Sequence, residues 1–415
     1  MLFDLLGRVD DTLTVAIQGY GWLPNRMRRQ PGDVYRTRLL GQTAVALHGP
    51  EAVRFFYDER HVRRSGAIPE PLQGTLFGKD AVHTLDGEPH RVRKAMFTAL
   101  LMNGGFEGLV ERTEAAWDAA VDSWAGRRVV LFDEVPAVLT RAVCDWTGIA
   151  VDEADLPALA EDLIAMVDGF ATAGPRHWKA RLARGRRERW LADLVRQIRA
   201  GDVRAPQGSV LAAVAEHRDS DGRLLDAETA AVEILNVIRP TVAVTWFVAF
   251  AGHALHRWPE YRDRLRADDP AFSEAFAHEV RRFYPFAPFV GGRAATDLTW
   301  QGTRIPAGAI VLLDLYGQNH DPRVWPDPYR FDPQRFIGRP IGPFDLVPQG
   351  GGDPRTGHRC PGEQITVALL RALSVRLARL DYHVPEQDLD IPLHRIPTRP
   401  ASGVVLAVPA TVAVP

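Results

Sequence analysis

The sequence predicts a mainly helical protein with a smaller β-rich part. Between about residues 89 and 266, segments such as "GLVERTEAAWDAAVDSWAG" and "DLPALAEDLIAMVDGF" repeat apolar residues every three or four positions, which is typical of amphipathic helices. Short β-like runs, "DVYRTRLLGQTAVALHG" near the N-terminus and "GAIVLLDLY" in the last third, lie among Pro- and Gly-rich loops. No internal repeat or low-complexity linker divides the chain, so we expect one domain over residues 1–415.

The predicted helices follow one another along the chain. They are one that begins near Pro50, several between about residues 89 and 266, one over about 270–284 and one over about 362–379. The longest apolar run extends from Asp226, a suitable N-cap, to about Arg257. Its length and period predict a buried central helix.

The composition limits the possible partners. The chain is 46% hydrophobic and 25% charged, with a formal net charge of −2 and a pI near 6.7. No overall positive field therefore favours nucleic acid or an acidic membrane surface. Its two cysteines cannot form a disulfide framework, which favours the reducing cytoplasm. The richness in Ala, Arg, Gly and Pro favours a bacterial source with a GC-rich genome.

The N-terminal residues are too charged for a targeting segment. The stretch "MLFDLLGRVDDTLTVAIQGYGW" carries Asp4, Arg8, Asp10 and Asp11. Because a signal peptide or a membrane span needs a longer uncharged run, we expect neither.

One segment, "RHWKARLARGRRERWLADLVRQIRAG", is rich in arginine. Trp178, Leu182, Trp190 and Leu194 recur among its charges at helical spacing. We interpret the segment as a helix with an apolar stripe opposite a solvated charged face, in preference to a nucleic-acid site.

The central apolar run contains two residues that are unfavourable inside a buried helix. Arg239 and Pro240 lie side by side in "NVIRPTVAV". An unpaired buried charge costs several kcal/mol, and a proline inside a helix costs about 3 kcal/mol or more. Arg239 shares a stripe with Leu235 and Trp246, and Pro240 cannot donate to the carbonyl of Asn236. A kink beside a buried cation is therefore predicted, and it is a candidate site.

A second candidate site is the segment "VPQGGGDPRTGHRCPGEQITVALLRAL". A glycine-rich loop delivers Cys360 just before a helix that is expected to begin at about Pro361 or Gly362. The first-turn amides and the helix dipole favour negative charge at the sulfur. Such a cysteine can be a nucleophile, a metal ligand or an inert buried thiol. Cys144, on an apolar helix pattern in "RAVCDWTG", is interpreted as inert.

The residues that accompany Cys360 narrow its interpretation. Glu279 and Arg282 in "HEVRRFYP" have E-x-x-R spacing, and Arg335 lies in "WPDPYRFDPQRF". Together with the glycine-loop cysteine, these motifs resemble the cytochrome P450 family over essentially the whole chain. The resemblance implies the cytochrome P450 fold and haem b with Cys360 as its axial thiolate. It also implies that Glu279, Arg282 and Arg335 form a structural network that holds the cysteine loop. Gln334 departs from the pattern, because the family has an acid there.

The resemblance implies cations around the haem carboxylates. His358 resembles the family position that meets a haem propionate, and His90 and Lys94 in "EPHRVRKAMF" resemble the corresponding helical pair. Arg293 in "VGGRAATDL" is a further candidate. Cations are the expected partners of carboxylates.

The central helix departs from ordinary family members, in which an acid followed by threonine lies over the iron and delivers protons. The corresponding residues here are Arg239, Pro240 and Thr241. This departure, with "PQGGG" and "GQNHDPRVWPDP", resembles the fatty-acid peroxygenase branch, which includes an alkene-forming decarboxylase. The resemblance implies that Arg239 clamps a fatty-acid carboxylate above the iron, while Pro240 opens the helix turn. That carboxylate then takes the acid–base role when hydrogen peroxide is the oxidant, without a redox partner.

The resemblance also implies the products and the substrate channel. Reaction at Cα or Cβ gives hydroxy acids, and oxidation at Cβ with loss of carbon dioxide gives a terminal alkene. His83, in "LFGKDAVHTLDG", matches the histidine of the decarboxylase rather than the glutamine of some hydroxylases, which favours decarboxylation. A hydrogen-bonded pocket histidine without a chemical role is the alternative. The residues that match the alkyl channel are Leu76, Phe77, Val167, Phe170, Phe286 and Phe289, with Phe77 and Phe289 preferred.

The sequence therefore predicts a hydrogen-peroxide-dependent fatty-acid peroxygenase or decarboxylase. Two alternatives stay open. One is a conventional monooxygenase that uses oxygen and a redox partner, and the other is a non-enzymatic haem-thiolate sensor.

Overall fold

The computed structural model describes residues 9–30, 32–102, 104–267 and 269–410, and helices dominate it. In chain order the helices are α1 Thr12–Gln18, α2 Trp22–Met27, α3 Pro50–Phe56, α4 Glu70–Leu72, α5 Gly87–Leu101, α6 Glu107–Asp122, α7 Leu131–Thr147, α8 Leu156–Asp168, α9 Pro175–Ala200, α10 Val210–Glu216, α11 Ala227–Val242, α12 Val244–Arg257, α13 Glu260–Arg266, α14 Pro270–Phe283, α15 Leu315–Gln318 and α16 Glu363–Arg379. The prediction of a mainly helical protein is confirmed. Asp4 and Arg8, on which the expected absence of a targeting segment depends, lie outside the described residues.

The β-rich part is small, as predicted. Its strands are β1 Val34–Leu39, β2 Gln42–Leu47, β3 Val62–Arg63, β4 Arg128–Val130, β5 Phe289–Ala294, β6 Leu298–Trp300, β7 Thr303–Ile305, β8 Ile310–Asp314 and β9 Val405–Ala407. The largest sheet has the order β1-β2-β8-β5-β3, in which the N-terminal hairpin pairs in parallel with β8 from the last third of the chain. Leu40 and Gly41 both have positive φ, as a two-residue hairpin turn requires.

The predicted central helix is present and buried. Asp226 caps α11 by accepting a hydrogen bond from the Thr229 amide. The run 227–257 is long and apolar enough to cross a membrane. Its most apolar 18-residue stretch has a mean hydropathy of 1.6, but 94% of that stretch is buried inside the protein. This burial is typical of a core helix.

The predicted kink in the central helix lies later than expected. The helix continues through Pro240 and is interrupted at Ala243, between α11 and α12. The Ala243 amide still donates to the Arg239 carbonyl, whereas the Trp246 amide donates to Ala243 in a tighter turn. Because the fixed φ of proline is compatible with a helix, the loss of one donor at Pro240 does not end α11.

The arginine-rich segment forms α9, but its predicted apolar stripe is wrong in the first half. Trp178 and Leu182 are exposed, whereas Trp190 and Leu194 are partly buried against the main core. The buried contacts come instead from small and aliphatic residues on another face of the helix, among them Leu191.

Candidate active site

A cavity lies between the start of α16, the centre of α11 and helix α5. Its volume is about 920 Å³ when the open solvent at its mouth is included. Six predicted site residues line it, namely His83, His90, Lys94, Pro240, His358 and Cys360. The structure therefore brings together residues that are far apart in the sequence.

Cys360 lies in the loop just before α16, whose N-cap is Gly362. Burial raises the pKa of Cys360, while the charge of Lys94 and the Gly362 amide act in the opposite direction. The Gln349 amide nitrogen lies 3.9 Å from the sulfur, and it also donates to Thr366 at 2.9 Å. These donors and cations suit a thiolate that ligates a metal. Cys144 does not line the cavity, and burial raises its pKa to about 12 and keeps it a thiol.

The cysteine loop is held by an arginine that sequence reasoning missed. Arg281 donates to the Gln349 side chain at 3.1 Å and to Glu363 in the first turn of α16. Arg359, next to the cysteine, donates to the same Glu363 at 2.6 Å. Burial acts to raise the pKa of Glu363, but the two arginines outweigh it and hold that pKa at about 2. The side chains on both sides of Cys360 are therefore fixed by one buried ion network.

The predicted network of Glu279, Arg282 and Arg335 is present. Arg282 donates to both Glu279 oxygens, at 2.7 and 2.8 Å, and Arg335 donates to Glu279 at 3.3 Å. Arg282 also donates to the Asn319 carbonyl, and the Asn319 side chain accepts from the Val347 amide at 3.0 Å. The network thus reaches the segment that precedes the cysteine loop.

Replacing Glu279 by glutamine is expected to destabilise the protein strongly. The change leaves the fully buried Arg282 without its anion, and breaking a buried pair in this way costs about 3–5 kcal/mol. The free energy of unfolding, measured by denaturant titration, should fall by this amount. Glu161→Gln, which removes an exposed pair with Lys179, is the control and should change that free energy by less than about 1 kcal/mol. Equal effects of the two changes would contradict a structural role for Glu279.

One end of the cavity carries two neutral histidines and a lysine, and the carboxylates of Glu59 and Asp86 lie 3.6–3.7 Å from the histidine nitrogens. The rings of His90 and His358 stack at 3.9 Å, and each has a buried ring nitrogen without a hydrogen-bond partner. Burial, followed by repulsion from His358, lowers the pKa of His90 to about 3, and burial lowers that of His358 to about 4. Burial also lowers the pKa of Lys94 to about 8. A cofactor that brings carboxylates to this end would satisfy these donors, so the residues fit a haem with its propionates here.

Arg293, which was predicted to meet a haem carboxylate, is not among the residues that line the cavity. Its guanidinium donates to the Gly66 carbonyl at 3.1 Å, to Gln42 at 2.6 Å and to the Gly308 carbonyl at 3.1 Å, outside the cavity. A second buried cation near the two histidines, besides Lys94, is Arg64, whose charge helps to lower the pKa of both.

Arg239 is buried at 6% exposure, and no carboxylate of the described residues pairs with it. Its hydrogen bond joins Nη2 to Asn236 Oδ1 at 3.1 Å, and its Nε has no partner. Burial, followed by repulsion from Arg184, lowers the pKa of Arg239 to about 9, so the guanidinium stays protonated at neutral pH. Its charge acts on the two cavity residues Cys360 and His83. Arg239 is not among the cavity-lining residues but adjoins Pro240, which lines it, so this uncompensated buried cation is a candidate anion site.

His83 lies in a short 3-10 turn, Val82–Thr84, and faces this cation. Burial and the charges of Arg239 and Lys94 lower the pKa of His83 well below its usual value, so the ring is neutral at pH 7. Its Nδ1 is buried without a hydrogen-bond partner. The imidazole can therefore form a hydrogen bond with a molecule in the cavity.

Thr241 lines the cavity, but its hydroxyl is occupied. It donates to the Val237 carbonyl within α11 at 2.9 Å, and the residue before it is Pro240. No acid precedes the hydroxyl, so the pair that would relay protons in ordinary family members is missing at this turn.

None of the six residues predicted for the alkyl channel is among the residues that line the cavity over Cys360. Phe77 lies 5.0 Å from the His83 ring and 5.6 Å from Phe170, so these two aromatics form an apolar wall next to the anion site. Leu76 and Val167 pack in the main core. Phe286 stacks on Phe247 in that core, and Phe289 packs against Trp22 of α2 instead of facing the cavity over Cys360.

Comparison with known proteins places this site in a family. The sequence model described as Cytochrome P450 matches residues 270–404. Cytochrome P450SP alpha (CYP152B1) is 40% identical in sequence, with a TM-score of 0.93 over 96% of this chain and 98% of that chain. A variant of cytochrome P450 OleT in complex with arachidonic acid is 37% identical, with a TM-score of 0.93 over 96% and 97%. Among curated proteins, abscisic acid 8'-hydroxylase 3 of Oryza sativa is 26% identical over 84% of this chain and 75% of that protein.

Proposed function

Because the chain belongs to the cytochrome P450 family, in the branch that contains cytochrome P450SP alpha and OleT, we propose that it oxidises fatty acids with hydrogen peroxide. Membership of the family implies a haem iron with a thiolate ligand, and Cys360 is the residue that would supply it. We propose haem b, with His90, His358 and Lys94 around its carboxylates. The proposed products are 2- or 3-hydroxy acids and terminal alkenes.

The observation that carries the proposal is the state of Arg239. A fully charged guanidinium is buried beside the cavity without a protein acid among the described residues, and its pKa is lowered by burial. A substrate carboxylate would relieve this cost through charge-assisted hydrogen bonds. The complexes of relatives agree with this class of ligand, since OleT is described with arachidonic acid and cytochrome P450SP alpha with (R)-ibuprofen, both of which are carboxylic acids.

The residues of the chain divide the work around this carboxylate. Arg239 binds and orients it, and Asn236 holds the guanidinium from the other side. Because Thr241 has no acid beside it, the bound carboxylate is the group that can accept and return the peroxide proton. A haem held by Cys360 would supply, together with hydrogen peroxide, the oxidising chemistry needed at Cα and Cβ of the fatty acid. A fatty molecule without a carboxylate leaves this acid–base position empty. The substrate is therefore part of the catalytic machinery.

We propose that His83 influences which product forms. The neutral ring has a free buried nitrogen and lies between Phe77 and the charge of Arg239. A hydrogen-bonding group at this point can stabilise the intermediate that loses carbon dioxide or position the chain for hydroxylation. Both product classes are therefore expected from one substrate.

The oxidant requirement tests the proposed function against its alternatives. The purified haem-loaded protein is incubated with a ladder of saturated fatty acids, either with hydrogen peroxide alone or with oxygen and a ferredoxin reducing system. Hydroxy acids and alkenes, identified by mass spectrometry, are expected with peroxide alone. Products that require the reducing system would favour a conventional monooxygenase, and no turnover under either condition would favour a sensor. Matching fatty alcohols are the control and should give no products.

A further inference from the structure

A buried carboxylate on the central helix contacts three parts of the site. Glu233 is fully buried on α11, one helical turn before Asn236. One of its oxygens accepts from the Val82 amide at 2.8 Å and from Arg93 at 2.7 Å. The other accepts from the Asn236 side-chain amide at 3.0 Å. None of the cavity contacts described above involves Glu233 directly.

Two groups that only accept hydrogen bonds, the Glu233 carboxylate and the Phe77 carbonyl, determine which way the Asn236 amide points. A carboxylate can only accept hydrogen bonds, so Asn236 must present its NH₂ group to Glu233. The same NH₂ group donates to the Phe77 carbonyl at 3.1 Å. The Asn236 oxygen is therefore left for Arg239, which donates to it at 3.1 Å. Glu233, Asn236 and Arg239 thus form a chain in which the first residue fixes the second, and the second holds the guanidinium.

Glu233 also links two segments that line the cavity. The Val82 amide belongs to the turn that carries His83, and Arg93 lies on α5, the helix that carries His90 and Lys94. Arg93 is held from its other side by Asp219 at 3.0 Å.

We infer that Glu233 is a positioning residue: it orients Asn236 so that Arg239 is held for the substrate carboxylate, and it ties the turn carrying His83 to the same helix. The inference rests on the proposed function, because it assigns the ligand of Arg239 to a fatty acid.

Glu233→Gln distinguishes a positioning role from a purely electrostatic one, because the two roles predict opposite changes in the affinity for carboxylates. If Glu233 acts on Arg239 only through its charge, its removal leaves the guanidinium more attractive to anions, and carboxylates bind more tightly. If it positions Asn236, the new side chain keeps its oxygen on the Val82 amide and turns its own NH₂ toward the NH₂ of Asn236. The two facing NH₂ groups push Asn236 out of place even though the Phe77 carbonyl still accepts from it, so Asn236 holds the guanidinium less well and carboxylates bind more weakly.

The experiment is a calorimetric titration of the haem-loaded protein with tetradecanoic acid and with 1-tetradecanol. For Glu233→Gln, we expect the affinity for the acid to fall about tenfold or more, while the affinity for the alcohol changes less than about twofold. Asp162→Asn is the matched control, because Asp162 is a buried acid that pairs with Arg186 and Arg187 away from the cavity. It should leave both affinities unchanged.

A second variant keeps the test decisive if the glutamine protein is not recovered folded. Glu233→Asp keeps the charge but shortens the reach to Asn236, so positioning predicts weaker acid binding and a charge effect predicts none. Unchanged or tighter acid binding, or an equal fall for acid and alcohol, would overturn the inference. A wild-type protein that does not prefer the acid to the alcohol would instead overturn the proposed function.

Discussion

Replacing Cys360 by alanine is expected to abolish turnover and to remove the thiolate–haem absorption spectrum. Cys360 is the cysteine that lines the cavity, and Lys94 and the Gly362 amide act toward the thiolate form against the burial that raises its pKa. The alanine variant keeps the Arg281 and Glu363 ion network, so the loop should keep its shape. The measurements are the absorption spectrum after loading with haem and the rate of fatty-acid oxidation with peroxide.

Cys144→Ala is the matched control for this change. Cys144 is buried on α7, outside the cavity, and its raised pKa keeps it protonated. This variant should keep the spectrum and the activity of the wild type. A Cys360→Ala protein that retains the thiolate spectrum would show that another residue ligates the iron.

The parts of the site that the sequence predicted are those in which chemistry and spacing coincide in a short segment. The Glu279 and Arg282 pair is set by one turn of a helix, and Cys360 is set by a glycine-rich loop followed by a helix start. Arg239 was recognisable because a charge inside an apolar helix requires a partner. Each of these features is local, so no knowledge of the tertiary structure is needed to find it.

The parts that the sequence did not predict depend on which way a side chain points in the folded protein. Arg293 and Arg64 lie on or next to the paired strands β5 and β3, and only the strand register decides which of them approaches the histidines. Successive residues of a strand face opposite sides of its sheet, so a basic residue at the right point in the sequence can still lie on the wrong side.

The aromatic residues show the same limit. Phe77 and Phe289 carry equal weight in the sequence as large apolar side chains near site motifs. In the fold, Phe77 contacts the His83 ring, whereas Phe289 packs on Trp22 of a helix more than 250 residues earlier in the chain. Long-range packing of this kind has no signal in a single sequence, and neither does the orientation of Asn236 by Glu233.

Replacing Arg239 by alanine is expected to reduce kcat/KM for fatty acids by about 10²-fold or more, because losing one member of a buried charge-assisted pair costs about 2–5 kcal/mol. The stability of the substrate-free protein should move in the opposite direction. In the absence of a carboxylate the guanidinium is a buried charge without an anion among the described residues, so its removal should leave the melting temperature unchanged or raise it. Kinetics with peroxide and thermal unfolding of the same preparation measure both effects.

Asn236→Asp tests whether Arg239 must be available and not merely charged. The new carboxylate would lie where Asn236 Oδ1 now accepts from the guanidinium at 3.1 Å, and it would compete with the substrate for the same donor. Its other oxygen would lie next to Glu233, so the two acids would share one proton and leave one negative charge beside Arg239. We therefore expect fatty-acid turnover to fall about as far as in Arg239→Ala, although the arginine is still present and the thiolate–haem spectrum is unchanged. Arg187→Ala, which breaks an ion pair with Asp162 outside the cavity, is the control and should retain turnover. Full activity of Asn236→Asp would mean that the substrate carboxylate does not bind Arg239, because a guanidinium already paired with a protein acid cannot serve as the clamp.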